Sequence, residues 1–257
     1  MPGVPRRGPR ARAVESLSLG TSFAAEEAMR SLIYLFVVVA QGIAIASANA
    51  APWSPTLSAT SDFPVATSVR VSAEAPFGLE LGGSLGFLPG PYADAINAFI
   101  VSSGGYDQET GQLIRDSLNH SMVVSLGAGY GVFSKLRFSG NYSHISLGGT
   151  TTTPEFVATV VGVPLPFARQ DPRQVDVASS LHMLGFEFSW PFELTHLLQL
   201  RVGIGARFTV GASTEVEVEG NDSREASLER DAELYMNDIY RRYAHPPVLS
   251  VSFALGF

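Results

Sequence analysis

The chain has 257 residues and no cysteine, which excludes disulfide scaffolds, thiolate nucleophiles, cysteine-based zinc sites and a lipoprotein anchor. Its formal net charge is −7 and Lys135 is its only lysine, so no basic cluster is present to bind nucleic acid. A mean hydropathy of +0.17 argues against a bundle of membrane helices, but it is compatible with strands that are apolar on one face only.

Residues 29–50 have the pattern of a cleaved signal peptide. A basic start precedes an apolar run, and small residues ending at Ala50 form an A-x-A cleavage site. An uncleaved anchor is the alternative, because the segment is just long enough to cross a bilayer. Residues 1–28 are rich in proline and arginine and then polar, and we interpret them as lying upstream of the true start at Met29. The mature domain is then expected to be residues 51–257.

Seven later segments alternate apolar and polar residues with the period of two that is typical of β-strands. In the last of them, every second residue from Leu249 to Phe257 is apolar, and the residues between are serine, alanine and glycine. The predicted strands are Ser68–Ala75, Leu79–Phe87, Ser121–Tyr130, Lys135–Leu147, Ser179–Trp190, Leu198–Gly211 and Pro247–Phe257.

The connections between these strands are alternately short and long. The long ones are Pro89–Asn119, Gly148–Ala178 and Ala212–Pro246. Short turns at one end and long loops at the other are typical of outer-membrane barrels, which in single bacterial chains have an even number of strands. An eighth strand is therefore expected in the weak segment between Ala51 and Pro64.

The C-terminal segment, with Phe253 and a final Phe257, resembles the last strand of Gram-negative outer-membrane barrels, where the final aromatic residue is part of the assembly signal. With its export signal and strand set, the chain resembles the OmpA-like transmembrane barrel. The stretch Leu88–Asn97 is also similar to one in predicted outer-membrane proteins, a likeness that brings no activity with it. A soluble β-sandwich is the alternative.

The resemblance implies an all-β, antiparallel, up-and-down transmembrane β-barrel of about eight strands, with short helices in the long extracellular loops. It implies a place in the cell outer membrane. The expected partners are outer-membrane lipid, lipopolysaccharide and the barrel assembly machinery, which would read the C-terminal strand, together with an unknown extracellular ligand. No nucleic acid and no cofactor are expected.

The polar face of the strands predicts a charged barrel interior. Side chains fill the interior of an eight-stranded barrel, and charges buried there must pair. We therefore expect a salt-bridged core, with a narrow polar conduit as the alternative. These residues offer no apolar pocket for an acyl chain. The residues predicted to face the lumen are Arg70, Glu74, Glu80, Lys135, Arg137, Asn141, Glu187, Arg201 and Arg207.

Two of the long loops contain helical patterns. In the first, Ile96 and Ile100 have helical spacing, and a second short helix is predicted over Gln108–Leu118. The third loop begins with Glu215, Glu217 and Glu219, which continue the strand with the parity of the lumen side. An amphipathic helix then follows, and its apolar face must cover the barrel mouth or a partner. That face consists of Leu228, Tyr235, Ile239 and Tyr243.

No catalytic constellation is evident. The acidic ladder could gather a divalent cation, or it is a solvated extension of the strand. The five histidines lack metal-ligand spacing, and a triad of Asp116, His120 and Ser121 has the residue types without a supporting geometry. We therefore expect no metal site and no enzyme. The expected role is structural or surface-interacting, carried by the capped loops, with a narrow porin-like channel for ions or small solutes as the alternative.

Overall fold

The computed structural model describes residues 53–102, 104, 111, 115, 121–133, 135–152, 157–158, 175–218 and 223–256. The predicted upstream segment and signal peptide, residues 1–28 and 29–50, lie outside this range, as do Glu219 and Phe257. None of the helices in the described part is long and apolar enough to cross a membrane.

Eight antiparallel strands form a closed barrel, which confirms the predicted fold class. Each strand pairs with the next, and the first pairs with the last, for example Ala59 with Phe253. The missing eighth strand is thus the first one, in the segment where the sequence required it. The strands are β1 Ser54–Phe63, β2 Ala66–Glu74, β3 Leu79–Phe87, β4 Ser121–Phe133, β5 Leu136–Thr152, β6 Val175–Glu193, β7 Leu198–Val218 and β8 Pro247–Gly256.

The barrel wall is much higher on one side than on the other. Strands β5, β6 and β7 have 17, 19 and 21 residues, whereas β1, β2, β3 and β8 have 9 or 10. The last pair between β7 and β8 is Ala206 with Pro247, and β7 then continues to Val218 paired with β6 only. The extra length lies at the end of the barrel where the three long connections leave it.

The exterior of the barrel is apolar and the lower part of its interior is polar, which is the reverse of a soluble protein. Leu126 faces outward and is 62% exposed, while Glu80 faces inward and is 3% exposed. All eight strands contribute to this outer apolar band. Its exposed members include Leu57, Val69, Leu81, Leu126, Phe138, Leu184, Ile204 and Leu249.

Two helices that the structure describes in full lie over the end with the long connections: α1, Gly90–Ser102, and α2, Ser223–Tyr243. The hydroxyl groups of Tyr92 on α1 and Ser61 on β1 are 2.7 Å apart, and the Tyr92 ring lies edge-on to Phe63. Of the second predicted helix in this loop, only Gly111 and Arg115 are described, both helical, and they contact Asn97 and Asp94 of α1.

The apolar face of α2 is buried, but it is broader than the sequence predicted. Leu228 and Ile239 are buried as expected, and Tyr235 is partly buried. Tyr243, at the last residue of the helix, is 39% exposed instead. Met236 and Tyr240 are buried and were not predicted, because the helix packs against both β7 and the barrel core at once.

A β-bulge in β7 reverses the expected direction of the acidic ladder. The pairing with β6 slips between His182 and Met183, opposite Gly211 and Thr209. Beyond the slip, Val216 and Val218 face inward, and Glu215 and Glu217 are exposed. The prediction that the ladder follows the lumen side is therefore wrong, because one extra residue changes the parity of everything after it.

Gly205 faces the inside of the barrel, where a Cβ atom would overlap the carbonyl oxygen of Phe186. Because that obstacle is backbone, we expect Gly205→Ala to lower the free energy of unfolding by about 1–3 kcal/mol, the usual cost of overpacking. Gly140→Ala is the control, since the nearest atom to its new methyl group is 3.9 Å away. Urea unfolding in detergent micelles measures both variants, and equal stability would contradict the tight inner packing at Gly205.

Candidate functional site

Glu80 is the centre of an ion network in the lower part of the lumen, near the short turns. Its carboxylate contacts the guanidinium groups of Arg137 and Arg201, the latter at 3.0 Å. Arg137 also contacts Glu74 at 2.6 Å. Charge-assisted contacts of this kind are about twice as strong as neutral hydrogen bonds. Three strands that are distant in the sequence, β3, β5 and β7, are therefore joined across the lumen.

A second ion pair lies higher in the lumen. The Arg207 guanidinium on β7 contacts the Asp62 carboxylate on β1 at 3.1 Å, and Arg207 is almost completely buried. Asp62 was not predicted, because its strand is rich in serine and threonine and shows weak alternation. Its register with β2 and β8 would have identified it as inward-facing.

We call the charged groups of the lumen the plug. Among the described residues, its buried and half-buried members are four arginines and four carboxylates, so their formal charges cancel. An unmatched charge at such a site would be expensive. Lys135 is not part of the plug, because it lies exposed in the turn before β5. The prediction placed it in the lumen because it extended the alternation of the strand one residue too far. The plug consists of Asp62, Arg70, Glu74, Glu80, Arg137, Glu187, Arg201 and Arg207.

Glycines on the inner face give the plug its space. A Cβ atom on Gly203 would lie 2.6 Å from the Glu187 carboxylate, and one on Gly82 would lie 3.3 Å from Nε of Arg70. A Cβ on Gly185 would meet both Arg207 and the amide oxygen of Asn141. Long charged side chains therefore lie flat over strand positions that have no side chain of their own.

A small polar void lies within the plug. One polar void of about 20 Å³ is bordered by Thr60, Asn141 and Arg207, which is room for about one water molecule. Thr60 Oγ1 and Asn141 Oδ1 have no hydrogen-bond partner within the described part of the chain, and neither do Nε and Nη1 of Arg207. A small polar molecule such as water fits these groups.

Above the plug, the interior becomes apolar. A cavity of about 900 Å³ lies between the inner wall and the two helices, and we refer to it below as the cavity. Ile145, Leu147, Leu181 and Met183 line it from the wall, and Ile239 lines it from α2. None of the polar residues predicted to face the lumen lines this cavity, and the sequence analysis did not predict it. The sequence contained evidence for the cavity, because the residues of β5 and β6 that line its inner wall have the same parity as Arg137 and Glu187 further down these strands.

Tyr240 is the polar group most deeply placed at the cavity. Burial raises the pKa of its phenol to about 12, and the nearby Ser179 hydroxyl opposes the shift only in part. Its hydroxyl group has no hydrogen bond of normal geometry to a described residue. The phenol therefore stays neutral at physiological pH, and it adds no charge to the apolar surroundings.

Side chains of α2 cover the edge of β7 that β8 leaves open. Four residues of a helix rise about 6 Å and two residues of a strand about 6.8 Å, so a row of every fourth helix residue can follow a strand edge. An uncovered edge would otherwise invite pairing with another chain. The contacts run from Val218 N–H to Glu229 (2.9 Å), Val216 N–H to Glu233 (3.4 Å), the Thr214 hydroxyl to Asn237 (3.0 Å) and Arg241 to the Ala212 carbonyl (3.4 Å).

The histidines and the acidic ladder do not form a metal centre in the part of the chain that is described, where no group of three or more His, Asp or Glu could hold an ion. His144 and His182 lie on the outer wall with ring centroids 4.9 Å apart, and the Tyr142 hydroxyl is 2.5 Å from Nδ1 of His182. Asp116 and His120, two members of the conceivable triad, lie outside the described residues.

Fold and site together define a closed eight-stranded barrel with an apolar exterior, a charged plug and an apolar cavity under two helices. No protein-family model and no curated protein sequence matches the chain. Among solved structures, it is similar to a major outer membrane protein of Thermus thermophilus (15% identity, TM-score 0.42) and to CarO2 of Acinetobacter baumannii (10% identity, TM-score 0.34). Each similarity covers 80% of this chain and 99% of the other.

The plug can be tested by removing its central charge without changing its shape. We expect Glu80→Gln to destabilise the barrel by about 3–5 kcal/mol, because Arg137 and Arg201 lose the carboxylate that both contact. Glu217→Gln, on the exposed ladder, is the control and should change the free energy of unfolding very little. Denaturant titration in micelles gives both values. A Glu80→Gln variant as stable as the control would show that the network contributes nothing to folding.

The edge cover can be tested with Glu229→Ala. Alanine favours the helix, but it cannot accept the Val218 N–H, so we expect faster amide hydrogen exchange at Val218 with α2 still folded. Arg230→Ala, at the exposed neighbouring position, is the control. Exchange measured by mass spectrometry on peptides from the end of β7 distinguishes the two. Unchanged exchange in Glu229→Ala would mean that this carboxylate does not protect the strand edge.

Proposed function

We propose that this chain is a Gram-negative outer-membrane β-barrel protein with a structural or surface-interaction role. One observation carries the proposal: all eight strands present large apolar side chains outward and enclose a charged interior. Every backbone group of a spanning segment must be satisfied within lipid, and a closed barrel achieves this with strands. The resemblance of the C-terminal strand to the assembly signal of such proteins supports the same assignment.

The two ends of the barrel differ in the way this role requires. The short turns, with the exposed aromatic residues Phe77, Phe133 and Phe192, suit the periplasmic boundary, where aromatic side chains gather. The long connections, with α1 and α2, then face the medium and carry the interaction function. In this proposal, membrane lipid and lipopolysaccharide surround the wall. The assembly machinery reads the last strand through Phe253 and Phe257, and a ligand of the outer end is not identified.

The plug argues against the porin-like alternative. Arg137, Arg201 and Arg207 are paired with carboxylates of other strands, and the polar void beside them holds about one water molecule. A path for ions would require these pairs to separate within a narrow, protein-lined space, at a cost of several kcal/mol for each buried pair. The geometry therefore favours a barrel that does not conduct.

Expression from Met29, followed by outer-membrane isolation and reconstitution, tests the proposal. We expect the protein in the outer-membrane fraction, a gel mobility that changes on boiling in SDS, and no single-channel steps in a planar bilayer. A general porin provides the positive control for conductance. Reproducible steps would favour the channel alternative. A soluble periplasmic protein without a mobility change would exclude the membrane assignment and leave a secreted β-protein.

A further inference from the structure

The cavity has the size and lining of a ligand site. Its volume of about 900 Å³ falls within the range of roughly 300–1,000 Å³ that is usual for small-molecule pockets. Most of its lining is aliphatic or aromatic, and none of the described residues that line it is an arginine or carries a carboxylate. A ligand with a long apolar chain could bury the chain there at no cost in hydrogen bonds, because an apolar chain makes none with water.

The cavity reaches both faces of the barrel wall. On β6, it is lined by Leu181 and Met183, which face inward, and by Phe186 and Phe188, which face outward. On β8, it is lined by Val248, which faces inward, and by Leu249, which is 50% exposed on the outside. Since adjacent residues of a strand point to opposite faces, a cavity that touches both must pass through or over the wall.

The opening lies where two short strands end beside a long one. We call this side of the cavity the notch: it is lined by Phe63 of β1, by Pro247 of β8 and by the segment 244–246, which is hydrogen-bonded to the edge of β7. Pro246 accepts a hydrogen bond from the Arg207 N–H at 3.1 Å but has no N–H group to return it, so the ladder between β7 and β8 ends there. Tyr243 and Ala244, at the end of α2, line the cavity above this point.

The rim of the notch offers a few polar groups to a head group. Nδ1 of His245 accepts a hydrogen bond from the Thr209 N–H at 3.2 Å, which leaves Nε2–H as a donor in the neutral ring. His245 and Tyr243 are both exposed, and both line the cavity. An amphiphile can therefore keep its polar end at the rim and its apolar end inside.

We propose that the cavity binds an acyl chain of a membrane lipid, which enters sideways through the notch. This inference rests on the proposed function, because the source of the chain is the bilayer around the barrel. The outward-facing part of the lining belongs to the same apolar band that would contact lipid, so a chain passes from bilayer to cavity without crossing water. An apolar solute from the medium would instead have to cross the end that α1 and α2 cover.

Two alanines allow the cavity and the notch to be blocked separately. Ala95 on α1 lines the cavity, and Ala98 on the same helix is exposed and does not. Ala206 on β7 lies at the notch, whereas Ala128 on β4 faces outward away from it. Ala95→Trp and Ala206→Trp are therefore the test variants, and Ala98→Trp and Ala128→Trp are their controls.

The experiment inserts each protein into vesicles of dioleoyl phosphatidylglycerol, extracts it in mild detergent and counts retained lipids by native mass spectrometry. Insertion and folding are checked first by the change in gel mobility on boiling. A second arm adds free oleate to detergent-purified protein. We expect one tightly retained phospholipid in the wild type and both controls, and at least a tenfold lower occupancy in Ala95→Trp and Ala206→Trp.

Equal lipid occupancy in all five folded proteins would overturn the proposal, as would a wild type that retains no lipid after insertion. Binding of oleate without any retained phospholipid would also overturn it, because it would assign the cavity to a free fatty acid. Loss of lipid in Ala95→Trp but not in Ala206→Trp would refute access through the notch. Failure of the wild type to insert would instead contradict the proposed function, and the lipid inference with it.

Discussion

The pairing of charges inside the barrel is the constraint on which the rest of the structure depends. Four arginines and four carboxylates are buried or half-buried within a single ring of strands, and each would be costly there without an opposite charge nearby. Their pairs connect β1 with β7 and β3 with both β5 and β7, strands that share no ladder with each other. The inner glycines follow from the same constraint, because a ring of eight strands has space for these side chains only if neighbouring positions are empty.

The fold was predictable because alternation with a period of two survives in almost every strand, and because short and long connections alternate. The charged residues on β3, β5, β6 and β7 could be assigned to the lumen from that parity alone. Asp62 could not, since the serines and threonines around it do not distinguish an inner face from an outer one. The direction of Glu215 and Glu217 depends on one bulged residue near Gly211, and a bulge changes the parity without leaving a clear mark in the composition.

The cavity shows a different limit of the sequence pattern. Ile145 and Leu181 have the parity of the lumen. When the other residues of that face are polar, however, single apolar residues at inward positions do not predict an apolar site. Only the packing of α1 and α2 against these positions turns them into one apolar site. The edge cover of β7 was equally hidden, because Glu229 and Glu233 look like an ordinary solvated helix face until the strand edge is placed beside them.

The height of the barrel wall determines what fills the space inside it. Where β1, β2, β3 and β8 stop, their inner faces end close above the plug, and the helices must provide the missing wall. The longer strands β5 to β7 provide the apolar backing against which those helices pack. The charged plug below and the apolar space above offer opposite surroundings to a solute, since a polar group loses free energy in an apolar space unless it is hydrogen-bonded there. The architecture therefore divides the interior of the barrel into two layers of different chemistry, and the ends of the short strands mark the boundary between them.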